Sequence, residues 1–292
     1  MKRNLLKVLL VLFAAVGSII FLCELFGKFF IKENTDYKKI IKSEYFDPDL
    51  TRVASVSTFV SYCDSLYGDD HIRSLDSEKY AVIISQVLRQ RFYHGYSYYS
   101  MGQNALGYIM APLIKSDLSA IVIPDDILKH PMAACSQQSI VGMEVFRKKG
   151  FNVRKVTFFA KEYGGHFCFE VFFNNKWHYF DPDMEPKLSL MIANHLPSIS
   201  EITENDTLLH KLYYKLDNQY AEKLFRAYFY GPVNKFPAPH AIVYQYITKY
   251  LSLGSWLIFM LIYWGLNKRW NKSKKEEVCA ELQGSLIPGK RA

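Results

Sequence analysis

Three side chains in this chain have the types and spacing of a covalent catalyst: Cys135, His166 and Asp181. A thiolate attacks carbonyl carbon, an imidazole moves the proton, and a carboxylate fixes which imidazole nitrogen carries it. Two of the three lie in GGHFCFEVFFNNKWHYFDPD, residues 164–183, which reads as two aromatic-rich strands around Asn174-Asn175. If those two residues form the loop, Phe173 pairs with Lys176, and Cys168 faces Asp181 with His166 one diagonal step away. Alternate residues share a face, so His166, Cys168 and Glu170 lie on the same side as Trp177, Tyr179, Asp181 and Asp183. Diagonal neighbours are about 7–8 Å apart, within reach of an imidazole and a carboxylate. A three-residue loop would put His166 and Asp181 on opposite faces and separate them.

The thiol must come from another element. PMAACSQQSIVGMEVFRKKG, residues 131–150, reads as a helix with Pro131 at its start and Gly150 past its end. Arg147, Lys148 and Lys149 fall in its last turn, where cations suit the helix dipole. A helix N-terminus favours a thiolate, and the Cys135 N–H is a natural oxyanion donor there. Cys135, Ser139, Gly142 and Phe146 form a stripe of mostly small residues at helical spacing, fit for close packing on a neighbour. NVRKVTFFA (152–160) alternates like a strand, and SEKYAVIISQVLRQRF (77–92) like a helix. The Gly-containing, aromatic stretch at 95–112 reads as loop with short structure, and 208–230 has helical periodicity.

Half of the 292 residues are apolar and 16% aromatic, too many for a disordered chain. The formal charge is +8, but the basic residues cluster at the two ends, at Lys2 and Arg3 and at Lys268, Arg269, Lys272, Lys274 and Lys275. A nucleic-acid protein concentrates them in a stripe on its folded domain, so that class is disfavoured. VLLVLFAAVGSIIFLC (8–23) and YLSLGSWLIFMLIYWGL (250–266) carry no charge. With their flanks both meet the length a membrane span requires. The first also fits a signal peptide, but no small-x-small cleavage site follows it, which favours an uncleaved anchor. Positive residues outside both spans place both termini in the cytoplasm and the intervening domain beyond the membrane. The expected organisation is an anchor with its polar flank (1–32), an extracytoplasmic domain (33–240), a second span (241–267) and a basic cytoplasmic tail (268–292).

Cys63, Cys135 and Cys168 would then share an oxidising compartment, leaving at least one thiol free or paired between molecules. A Cys63–Cys168 disulfide is one arrangement, and sequence does not choose among them. Zinc accepts Cys, His and Asp ligands, so Cys135, His166, Cys168 and Asp181 also permit a metal site. No Cys-x-x-Cys or His-x-x-x-His pair supports that reading.

In order and spacing, the run from Cys135 to Asp181 resembles the transglutaminase-like superfamily, relatives of papain-type thiol enzymes. The matching pieces are Cys135 at a helix start, Gly150, Arg154 entering a strand, His166-Phe167-Cys168-Phe169-Glu170-Val171, and Trp177 through Asp181-Pro182. The intervals are 31 residues from Cys135 to His166 and 15 from there to Asp181. Cys168 departs from the pattern, standing where the family often has Trp. The resemblance covers residues 131–183 and implies an α+β fold: a papain-like core in which a Cys-bearing helix packs on an antiparallel sheet bearing His and Asp, flanked here by two transmembrane helices. It implies a Cys135–His166–Asp181 triad acting on amide bonds of peptides or cell-envelope material, through an acyl-enzyme and without a cofactor. Glu170 is expected to be structural, Trp177 core, Arg154 a salt-bridge or packing residue, and Gln103 the first candidate for a second oxyanion donor. The competing expectation is a catalytically inactive binding or assembly module of an envelope complex.

Overall fold

A computed structural model describes residues 2–27, 44–68, 76–160 and 164–285. The expected boundary at 32/33 and the last residues of the tail lie outside them. The elements are α1 (Lys2–Phe26), α2 (Val56–Tyr67), α3 (Ser77–Arg91), α4 (Ala105–Ile114), α5 (Pro124–Ile127) and α6 (Cys135–Lys148), then β1 (Asn152–Ala160), β2 (Gly164–Phe173) and β3 (Lys176–Phe180). After these come α7 (Leu188–Ala193), α8 (Ile199–Thr203), α9 (Asp206–Leu212), α10 (Asn218–Phe225), β4 (Tyr228–Tyr230) and α11 (Pro239–Ser285). The chain forms two compact units, one of Met1–Lys32, Tyr99–Ser116 and Tyr246–Ala292, the other of Glu33–Tyr98 and Asp117–Gln245.

In the first unit α1 and α11 pack side by side. Phe13 stacks on Phe259 with ring centroids 5.3 Å apart, and Lys7 Nζ donates to Asn267 Oδ1 at 2.8 Å. Gly17 permits this approach, because a Cβ there would stand 2.7 Å from the Trp256 backbone nitrogen. Both helices are long and apolar enough to cross a membrane, over Arg3–Phe26 and within Pro239–Ala280. Leu5, Phe13, Ile19 and Leu22 of α1, with Leu257, Leu261 and Trp264 of α11, are exposed, as lipid-facing side chains would be. The stretch expected to be loop with short structure contains α4, a 10-residue helix whose start is docked on the two long helices. Asn104 caps it through Gly107 N–H at 2.9 Å and donates to Thr248 Oγ1 at 3.0 Å, while Leu106 N–H donates to Ser252 Oγ at 2.9 Å. Glycine and proline inside ALGYIMAPLI obscured its helical pattern, and although Asn104 caps it locally, the groups it docks on, Thr248 and Ser252, are far away in the sequence.

The second unit is mixed helix and sheet. Among the described residues its one sheet is antiparallel, in the order β3-β2-β1-β4. Asn174 and Asn175 both have positive φ, 46° and 61°, the geometry of a two-residue hairpin loop, and Phe173 pairs with Lys176 as the turn parity requires. α6 lies on the sheet through the expected stripe. Ser139 Oγ donates to Phe167 O at 2.9 Å, Gly142 sits under the Phe169 ring, and Phe146 packs on Phe169 and Phe180. β4 was not expected; it pairs with β1 at Val156–Phe158 and closes the far edge.

The helix opens at Cys135, not at Pro131. Residues 131–134 are held extended by backbone pairing, Tyr93 N–H to Pro131 O at 3.1 Å and Ala133 N–H to Tyr93 O at 3.0 Å. Gln137 fixes the junction from inside. Its Oε1 accepts from Ser97 N–H at 2.9 Å, and its Nε2 donates to Ser97 O and Ile121 O at 2.9 and 2.8 Å.

Candidate active site

Cys135 is therefore the first residue of a 14-residue helix, where its N–H has no intrahelical acceptor. Its thiol sulfur, a ring nitrogen of His166 and a carboxylate oxygen of Asp183 all lie within 4.8 Å of one another. The hairpin register brings His166 Nε2 to Asp181 Oδ2 at 2.9 Å. Cys168 Sγ stands 2.9 Å from the same Nε2. With Nε2 engaged by both, Nδ1 is the nitrogen left for Cys135. If Nε2 carries the proton toward Asp181, Nδ1 is an acceptor facing a thiol, the tautomer a general base needs. The structure thus gathers Cys135, His166 and Asp181 in one place.

Asp181 is an ion held inside the protein by a full set of donors. Its Oδ2 also accepts from Tyr213 Oη at 2.9 Å and Tyr179 Oη at 3.4 Å, and its Oδ1 from Met184 N–H at 3.0 Å. Burial pushes its pKa up, but the His166 charge and these bonds win, leaving the carboxyl at about 2. Burial likewise opposes a charged His166, and Asp181 overrides it, carrying the imidazole well above its ordinary value. Both directions describe one buried imidazolium–carboxylate pair. Aromatic rings enclose it: Phe158 stacks on the imidazole with centroids 5.8 Å apart, and the Phe225 edge meets it at 6.3 Å.

Cys168 is fully buried, and burial, followed by the Asp181 charge, pushes its thiol pKa up. It remains a neutral S–H beside the imidazole. All five cysteines are free thiols, so the Cys63–Cys168 bridge is not formed. Asp183 ties the site's rim together, accepting from His94 Nδ1 at 2.7 Å and Gln138 Nε2 at 3.1 Å. His166, Cys168 and Asp181 also form a group whose ligand atoms lie within 4.8 Å of one another, and the Cys135 group above is a second, so either offers zinc-compatible donors.

Glu170 and Arg154 pair at 2.6 Å, with Glu170 wholly buried and also accepting from Ile199 N–H at 2.8 Å. The guanidinium carbon lies 4.2 Å from the Trp177 ring centroid and 3.6 Å from that of Tyr230. Trp177, expected in the core, is half-buried because it covers this cation. Gln103 belongs to the first unit, where its Oε1 accepts from Ser100 N–H at 3.2 Å. Sequence reading missed Tyr213, His94 and the role of Gln138. Tyr179 and Asp183 were placed on the right face but given no task. Nothing in the spacing flags Tyr213, which arrives from a segment 32 residues beyond Asp181.

No family model, curated protein or solved structure matches this chain.

Proposed function

We propose that the chain is a membrane-anchored thiol hydrolase or acyltransferase of the transglutaminase-like, papain-like kind, acting on amide bonds outside the cytoplasm. The observation that carries this reading is the ordered relay Cys135, His166, Asp181, with the thiol at a helix N-terminus and the imidazole held at 2.9 Å by a buried carboxylate. The Cys135 thiol first gives its proton to neutral His166, leaving a thiolate beside the imidazolium that Asp181 stabilises, and that thiolate attacks the amide carbonyl carbon. The tetrahedral oxyanion forms beside the Cys135 N–H, one of the donors such a charge requires. Its collapse breaks the C–N bond, and His166 returns the proton to the leaving amine. Water or an amine then attacks the thioester, giving a proton to His166, and the thiol is regenerated. Asp181 stabilises the imidazolium in each half-reaction and keeps its own charge throughout. No step calls for a metal or organic cofactor. Both long apolar helices support anchoring, and the end clusters of Lys and Arg favour cytoplasmic termini. The direct test is release of amine from a panel of peptide and cell-wall amides by the full-length protein in detergent. Release is expected from wild type and not from Cys135→Ser. Equal release by both would contradict a thiol mechanism, and release by neither across the panel favours the non-catalytic envelope module.

A further inference from the structure

Two arginines on α3 are treated in opposite ways. Arg91 is wholly buried and donates to the carbonyls of Val53 and His130, each at 3.0 Å, and of Leu128. Arg89 is 7% exposed, yet its Nε has no hydrogen-bond partner and the guanidinium forms no ion pair among the described residues. Arginine keeps its proton in proteins, and a buried cation without a partner is strongly unfavourable unless something supplies one. Arg89 lines a cavity of about 390 Å³ with Tyr45, Gln86, Gln90, Glu185, Ser189 and Tyr214. That volume falls in the range of about 300–1,000 Å³ common to small-molecule sites. Two carboxylates act on Arg89 through their charge, Glu185 and the buried Asp181, but neither pairs with it: Glu185 leans on Lys215, 3.8 Å away, and Asp181 on His166. Burial pushes the Glu185 carboxyl up to about 7 against the pull of Arg89 and Lys215, so near neutrality it is a partial charge at best.

We propose that this cavity is a binding site for a small oxyanion, a carboxylate or phosphate group, seated on the Arg89 guanidinium. The planar fork of arginine matches both groups with two parallel hydrogen bonds. Gln86, Gln90, Ser189 and the two tyrosines offer neutral polar groups to the rest of a ligand, and exposed Lys187 adds a second positive charge to the lining. The site shares no lining residue with the Cys135–His166–Asp181 relay, so it stands whether or not that relay is catalytic.

The test uses full-length protein in detergent, with inorganic phosphate and N-acetylglycine as separate probes at constant ionic strength and potassium chloride as the reference. Saturable thermal stabilisation or calorimetric binding by at least one probe is expected, and which one distinguishes phosphate from carboxylate. Arg89→Gln should weaken that binding at least tenfold. Ser189→Tyr, which fills the cavity from its exposed wall, should do the same and decides the matter if Arg89→Gln does not fold. Lys211→Gln, outside the cavity, should bind as wild type does. Binding no better than chloride for both probes, or undiminished in the two cavity variants, overturns the proposal.

Discussion

A buried imidazolium beside a buried carboxylate has a pH signature that follows from the direction of each shift. Asp181 falls from 3.8 to about 2 on folding, so its contribution is present above the unfolded value and lost as pH drops through the folded one. The size is on the order of 2 kcal/mol. His166 moves up from 6.5, so its contribution is complete below that value and fades as pH climbs toward the raised one. The pair therefore stabilises most between roughly pH 4 and 6.5. The Tm gap between wild type and Asp181→Asn should be widest in that window and narrow in acid, by calorimetry on the detergent-solubilised protein. A gap independent of pH would mean the two groups are not an ion pair. Asp181→Asn should also slow turnover by up to about 10⁴-fold, the scale of losing the carboxylate that sets the imidazole tautomer and stabilises the imidazolium. Cys168 touches the same imidazole but is kept protonated by burial, so Cys168→Ala should stay within tenfold of wild-type turnover. Inactivity of Cys168→Ala with normal expression would move the nucleophile to that sulfur.

Elements decide whether those residues meet. The hairpin was legible because turn parity and alternation are local: once Asn174-Asn175 is the loop, the faces of His166 and Asp181 are settled. One glycine inserted between them should therefore abolish activity while leaving a sheet, and Asn175→Gly, which relieves a positive φ of 61°, should not harm it. The close approach of α6 to the sheet was legible too, from its small-residue stripe. A Cβ on Gly142 would lie 2.6 Å from Phe169 Cζ and 2.9 Å from Leu88 Cδ2, and the Phe169 ring is stacked on Phe180 and has little room to yield. Overpacking of about 1–3 kcal/mol then outweighs the roughly 1 kcal/mol that alanine gains over glycine inside a helix. Gly142→Ala should lower Tm, and a rise would show that the ring moves aside. The start of α6 was legible only in part: Cys135 was expected at a helix start, but so was Pro131, and what separates them is set by Tyr93 and Ser97, some 40 residues upstream of Gln137. Tyr213 and β4 were not legible, both placed by long-range packing of a segment whose own pattern reads only as helix.

At the scale of the whole molecule, the two apolar helices were plain from composition, since an uncharged stretch of span length stands out without any knowledge of folding. The third, α4, was hidden by its shortness and by Pro112, and its start is docked through Asn104 and Leu106 on Thr248 and Ser252 of α11. Cys279 is exposed on the basic end of α11 and reports orientation. If both termini are cytoplasmic, as proposed, a membrane-impermeant maleimide should label it only after cells are permeabilised. Labelling in intact cells would invert the topology and remove the case for an extracytoplasmic substrate.

The most direct test of the relay is capture of the acyl-enzyme. The full-length protein in detergent, treated under reducing conditions with a thiol-reactive acyl probe, should gain one acyl group that maps to Cys135 by mass spectrometry. The adduct should vanish in Cys135→Ala, form far more slowly in His166→Ala, and persist in Cys63→Ala and Cys168→Ala. Acylation that does not depend on Cys135, or that is as fast without His166, would contradict the triad.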